Sequence, residues 1–321
     1  MTTFRFLPTF HFVRYAAASA IQVALLLAPV AARAEVQVEL WDGKRAMALI
    51  AEQLQYTPRS MGAPGHQQTI DFIKAALAKT SVDMVTTQDW SYRGDDGKPL
   101  ALSNIIARFQ PQNPRRVIVA THYDSIVKAY RDPKTPDAAM PGANNSASGV
   151  AVLLETARVL SLLPKLTVGI DMIFFDGEEG PKSLGAGDPD WKALGSPHFV
   201  QHLKDYYPAG KPDKAVVFDM VCARNIQLKP EPSSLMSAMA EVKKFWGTGL
   251  GIAPAAFVTK TTTYPISDDH TALAEAGIPS FLVIDFDYEP WFNTTGDTLD
   301  KCDPQSLEAV GRTLTRYLTL P

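Results

Sequence analysis

The sequence predicts an α/β protein, a single domain built on a mixed, mostly parallel sheet with helices on both faces. Three observations lead there. Apolar, β-rich runs at 104–109, 116–121, 168–175, 214–221 and 280–286 alternate with helix-spaced stretches at 147–163, 197–204, 233–247, 269–276 and 304–318. Most of these runs are continuously apolar, as strands covered on both sides must be. No repeat, low-complexity linker or composition break divides the chain, so residues 35–321 read as one domain.

At the amino end, Arg5 and Arg14 precede an Ala/Leu-rich apolar run from Ala16 to Val30, and Ala32-Arg33-Ala34 offers a small-x-small cleavage site before Glu35. Residues 1–34 are therefore expected to be a signal peptide. A retained anchor is the alternative, and the short run argues against it. The expected product is an exported protein, periplasmic or secreted, with no membrane attachment after cleavage. Of 31 basic residues, Arg5, Arg14 and Arg33 leave with the leader, so 28 face 34 acidic ones. That balance gives no electrostatic reason to expect nucleic acid or anionic lipid as partner. Cys222 and Cys302, 80 residues apart, are either a disulfide or two buried thiols. Nothing in the sequence sets the oligomeric state.

Along the remaining chain, 42–54 and 67–79 have amphipathic helical spacing, with Ile70, Ile73 and Leu77 on one face of the second. Between them, Arg59 to Gly65 is a turn-rich loop, and His66 just after it is expected at the surface or at a helix N-terminus, with no chemical role. The runs at 104–109 and 116–121 are joined by a short loop containing Pro111 and Pro114, which predicts an antiparallel hairpin. Loops 125–142 and 180–196, rich in Asp, Pro and Gly, are expected to rim the carboxyl edge of the sheet.

Candidate site residues fall at the ends of these strands. Phe174-Phe175-Asp176-Gly177-Glu178-Glu179 is an apolar strand closing on paired carboxylates, which can divide the work of holding a cation and moving protons. Taken alone it is better read as an acidic turn capping a strand. His122 and Asp124 close another strand, where an acid can orient a metal-binding ring or simply bond to a loop histidine. Asn145 precedes a helix it could cap, and Asp219 ends Val216-Val217-Phe218. Asp268-Asp269-His270 opens a helix, where acids are favoured in any case. Gathered at several strand ends, these residues suggest one shared site. Trp191, Trp291 and Phe292 are candidate apolar walls of a substrate pocket, although core packing is the commoner use of such rings.

The order of His122-Tyr123-Asp124-Ser125, the Pro-Gly-Ala-Asn-Asn-Ser-Ala-Ser-Gly-Val segment at 141–150, the Phe174 to Glu179 string, Phe218-Asp219-Met220, Asp268-Asp269-His270 and Trp291-Phe292-Asn293-Thr294 resembles the zinc aminopeptidase superfamily. Within it, the phrasing is most similar to the glutaminyl-peptide cyclotransferases, from about residue 59 to the carboxyl end. The resemblance implies a zinc exopeptidase-like fold and peptide N-termini as substrates. It places the zinc ligands of the cyclases on Asn145, Glu179 and Asn293, and those of the first metal of the two-zinc aminopeptidases on His122, Asn145 and Asp219. It places proton-handling roles on Glu178, Asp219 and Asp268, with Asp124, Asp269 and His270 supporting them.

Asparagine stands at two of the three implied cyclase ligand positions. It offers a neutral carbonyl oxygen where zinc favours imidazole, thiolate or carboxylate. The expectation is a weak or altered zinc site, with another divalent cation or no metal as alternatives. Three functions follow in order: cyclisation of N-terminal glutamine with ammonia release, metal-dependent removal of N-terminal residues, and peptide binding without catalysis. Hydrolysis leans harder on a metal, because water must be activated.

Overall fold

The computed structural model describes residues 39–94, 97–181 and 191–319. The expected leader at 1–34 and most of loop 180–196 lie outside them. The chain runs α1 (Gly43–Gln53), α2 (Pro64–Leu77), β1 (Met84–Arg93), β2 (Pro99–Phe109), β3 (Arg116–His122), α3 (Ala147–Leu162), β4 (Gly169–Phe175), α4 (Gly195–Gln201), α5 (Leu203–Tyr206), β5 (Lys214–Asp219), α6 (Pro232–Ile252), α7 (Asp269–Glu275), β6 (Ser280–Ile284) and α8 (Pro304–Thr319). One six-stranded sheet has the order β1-β2-β4-β3-β5-β6. β4, β3, β5 and β6 run parallel, and β1 and β2 add an antiparallel edge.

Alternate residues of the central strands feed two cores. Val117, Val119, Phe174 and Phe218 face α1, α2, α3, α6 and α8, whereas Ile118, Ala120, Ile173 and Phe175 face α4, α5 and α7. Burial on both faces is why these strands read as unbroken apolar runs. No described helix is long and apolar enough to cross a membrane.

Two expectations are corrected. β2 and β3 do not form a hairpin: β4 lies between them, antiparallel to β2 and parallel to β3. Skipping one strand requires a span of about 10 Å, well within the reach of a six-residue connection. Arg116 braces that connection, its Nη1 donating to the carbonyls of Gln110 and Asn113 at 2.8 and 3.4 Å. The second is β1, which the sequence reading omits. This edge strand pairs with β2 over its full length, and its Trp90 stacks on His198 of α4 at 4.3 Å. An edge strand that alternates exposed and half-exposed residues, most of them polar, carries no apolar run to find.

Candidate active site

The carboxyl ends of β3, β4 and β5 converge, and each delivers an acid or an imidazole. His122 is the last residue of β3 and fully buried. Its Nδ1 lies 3.3 Å from Asp124 Oδ1 and its Nε2 lies 3.2 Å from Asp219 Oδ1 at the end of β5. Burial alone would depress the imidazole, but the bonds to Asp124 and Asp219, with Glu178 nearby, raise its pKa well above the ordinary value. Both ring nitrogens thus face carboxylates.

After β4 the chain turns at Gly177, whose φ of 69° suits glycine, and Asp124 seats the two glutamates that follow. Its Oδ1 accepts the Glu178 N–H at 3.1 Å and its Oδ2 the Glu179 N–H at 3.2 Å. Beneath this turn Asp176 accepts the Ser103 N–H at 2.6 Å, and its other oxygen lies 2.8 Å from His66 Nε2. His66 is therefore not a surface residue. α2 begins at Pro64, so His66 falls in its first turn and its ring is buried under Asp176.

Asn145 sits in the loop before α3, held by two residues that sequence reasoning missed. Asp297, fully buried, accepts the backbone N–H groups of Asn144 and Asn145 at 2.8 and 3.0 Å, and the Tyr288 hydroxyl at 2.8 Å. Arg59, also fully buried, donates to the carbonyls of Pro141 and Gly142 at 2.8 and 2.9 Å. Asn293, with φ of 54°, is fastened from the other side, its carbonyl accepting the Arg131 N–H at 3.2 Å. The Gly296-Asp297-Thr298 turn after Asn293 was the available signal for Asp297; a lone arginine in a turn-rich loop offers none for Arg59.

Asp268 caps α7, its side chain accepting the Asp269 N–H at 2.5 Å. Asp269 is bonded by the Ser196 hydroxyl. His270 turns away, its Nε2 3.3 Å from Glu231 Oε1 ahead of α6. One cleft is lined by Asn145, Glu178, Glu179, Asp219, Asp268 and Asn293, with Phe292 and Trp191 among its apolar walls. Trp291 does not line it. Residues 288–294 form turns that send Phe292 against Phe286, while Lys301 lies 4.3 Å from the Trp291 ring centroid.

Crowding of buried acids sets the electrostatics. Burial raises Glu178 well above the carboxylate range; His122 opposes this, and Asp268, Glu179 and Asp269 reinforce it. Glu179 is pushed up to about 8 by burial, against His122 and with Asp124 and Asp219. Asp268 is pushed up to about 7 by burial and by Asp219. Such a cluster retains protons near neutral pH, as general acid–base chemistry requires.

Two donor sets bear on a metal. His122, Glu178 and Glu179 each bring one ligand atom within 4.8 Å of the others, a candidate group for a cation. His122, however, has both nitrogens committed to Asp124 and Asp219. The set implied by the resemblance fits zinc poorly. Asn145 Nδ2 donates to Glu179 Oε1 at 2.6 Å and to Asn293 Oδ1 at 3.3 Å, so its amide nitrogen, which cannot ligate, faces both partners.

The family model of Peptidase family M28 matches residues 104–318, more than half of the chain. The glutaminyl-peptide cyclotransferase of Boiga irregularis is 24% identical over 294 residues, covering 80% of this chain and 75% of that protein. A crystal structure of Tannerella forsythia glutaminyl cyclase superposes with a TM-score of 0.80 at 27% identity, covering 88% of this chain and 99% of the other. A Zn-dependent exopeptidase from Parabacteroides distasonis gives the same TM-score of 0.80, identity of 27% and coverage of 88% and 99%. The match, the shared mixed sheet and the motifs at its carboxyl edge agree: the chain belongs to peptidase family M28, within the zinc aminopeptidase superfamily and near its glutaminyl cyclases.

Proposed function

We propose that this protein cyclises the N-terminal glutamine of peptides and releases ammonia. The observation that carries the reading is the pairing, in one cleft, of a full set of acids with two uncharged amides at the positions where zinc ligands are implied. Cyclisation uses the peptide's own amine as nucleophile and needs no activated water, so it tolerates a poor metal site better than hydrolysis does.

The α-amine attacks the terminal amide carbon of the glutamine. Glu178 takes a proton from the attacking nitrogen and returns it to the departing one, so a ring C–N bond forms, the original amide C–N bond breaks, and ammonia leaves. Asp268 and Asp219 support this exchange, Asp219 also fixing His122, whose Nδ1 lies 4.0 Å from Glu178 Oε2. Phe292 and Trp191 supply apolar walls against which water is excluded. Export of the mature protein to the periplasm or outside the cell, where peptide N-termini are available, completes the reading.

Incubation with Gln-Ala and Leu-Ala separates the alternatives. Ammonia from the first supports cyclisation; free amino acids identify a peptidase; binding with neither product identifies a non-catalytic peptide binder. Glu178→Gln is expected to lower ammonia release by at least about a hundredfold while the fold survives. Undiminished release removes Glu178 from the mechanism.

A further inference from the structure

We propose that Asn145 and Asn293 take the place of a bound cation with a hydrogen-bonding pair that reads the carboxamide of the substrate, so that the site works without zinc. In naming that carboxamide as glutamine's, the inference rests on the cyclisation reading; its metal-free character does not.

The geometry points to this in three steps. First, Asn145 Nδ2 already connects the other two implied ligand positions, reaching Glu179 Oε1 at 2.6 Å and Asn293 Oδ1 at 3.3 Å. The three side groups are thereby held together by N–H···O bonds, the task a cation performs when the ligands are anionic. Second, two atoms are left over: Asn145 Oδ1 and Asn293 Nδ2 are buried and have no hydrogen-bond partner among the described residues. Both residues line the cleft, and both are at least nine-tenths buried. Buried unpaired polar atoms are unfavourable, and native structures seldom leave them without a reason.

Third, the leftover atoms are one acceptor and one donor. A primary carboxamide carries an NH2 donor group and a carbonyl acceptor on a single carbon, the complement of that pair. Flipping both amides exchanges the two roles and still leaves one donor and one acceptor. Glutamate in the same place would set a carboxylate oxygen against the Asn145 oxygen, and methionine would leave both atoms unpaired. Sites built to hydrogen-bond a polar group reject analogues lacking it far more strongly than apolar pockets reject a change of size. A donor from Asn293 to the amide oxygen would also steady the charge that grows there during attack.

The test has two readouts that do not depend on turnover. Protein equilibrated with micromolar zinc and dialysed is expected to carry well under one zinc per molecule by elemental analysis, whereas the Asn145→Asp/Asn293→His double variant takes up about one. One tightly held zinc in the unaltered protein overturns the proposal. Binding is then measured by calorimetry for Gln-Ala-amide, Glu-Ala-amide and Met-Ala-amide on the Glu178→Gln variant. A preference for glutamine of at least about tenfold is expected. It should fall towards unity in Asn293→Gly, which keeps the left-handed backbone at that position, and in Asn293→Asp, which keeps the side-group shape but loses the donor. A preference unchanged in both variants overturns the pairing, even where the unaltered enzyme releases ammonia. A preference that collapses as expected, in a protein that releases none, leaves the pairing standing and removes the cyclisation reading alone.

Discussion

Replacing Asp297 by alanine removes the acceptor that holds the loop carrying Asn145, and its cost can be built from the contacts. The carboxylate takes three donors, the N–H groups of Asn144 and Asn145 at 2.8 and 3.0 Å and the Tyr288 hydroxyl at 2.8 Å. All three bonds are buried, and a buried donor left unpaired costs about 1–3 kcal/mol. Three such groups set an upper range of about 3–9 kcal/mol, which water entry into the vacated space and relief of the buried carboxylate both reduce. The buried acid itself is unfavourably placed, burial pushing it up to about 6 despite these bonds and Arg59. The expected loss is about 3–5 kcal/mol, a large part of the roughly 5–15 kcal/mol by which typical domains are stable. Urea unfolding followed by tryptophan fluorescence reads it directly. Asp297→Asn keeps one acceptor oxygen but turns an NH2 towards the second N–H, so it should fall between wild type and alanine. If Asp297→Ala unfolds within about 1 kcal/mol of wild type, the clamp does not hold the loop as described.

Two further perturbations test the scaffold. Cys222 and Cys302 are disulfide-bonded, tying the segment after β5 to the segment ahead of α8 across 80 residues. Closing a loop of that length corresponds to about 4.5 kcal/mol in the chain-entropy account, so Cys222→Ser/Cys302→Ser should lower the urea midpoint clearly; an unchanged midpoint contradicts the bond's role. Glu231 caps α6 and meets His270: burial pushes its carboxyl up, but His270, Ser233 and Ser234 outweigh that and hold it at about 2. A depressed carboxylate contributes stability above its unfolded pKa of about 4.3 and loses it as pH falls towards 2, so Glu231→Gln should flatten the acid limb of the stability profile between those values. An acid limb identical in the variant excludes Glu231 as its source.

Much of the architecture was legible because the central strands are buried twice over and advertise it as apolar runs. β1 was not, since an edge strand with polar, half-exposed residues looks like loop. The β2–β3 connection misled because six residues serve a hairpin and a one-strand skip equally well. For the candidate site, the meeting of His122, Glu178 and Asp219 at one sheet edge was legible because each closely follows such a run. Arg59, Asp297 and the His66–Asp176 pair were not, because their partners lie far away in sequence, as with Asp297 and Asn145, 152 residues apart. No local pattern encodes such a contact. The meeting of Asn145 with Asn293 was reachable only through resemblance to a family, and the bonds they make were not reachable at all.

Ammonia release from a glutaminyl peptide, measured before and after exhaustive chelation of the same preparation, tests the metal-free site most directly. Equal rates are expected in the two samples, with no change on adding zinc and no release from Glu178→Gln. Loss of activity on chelation, restored by zinc, would contradict it.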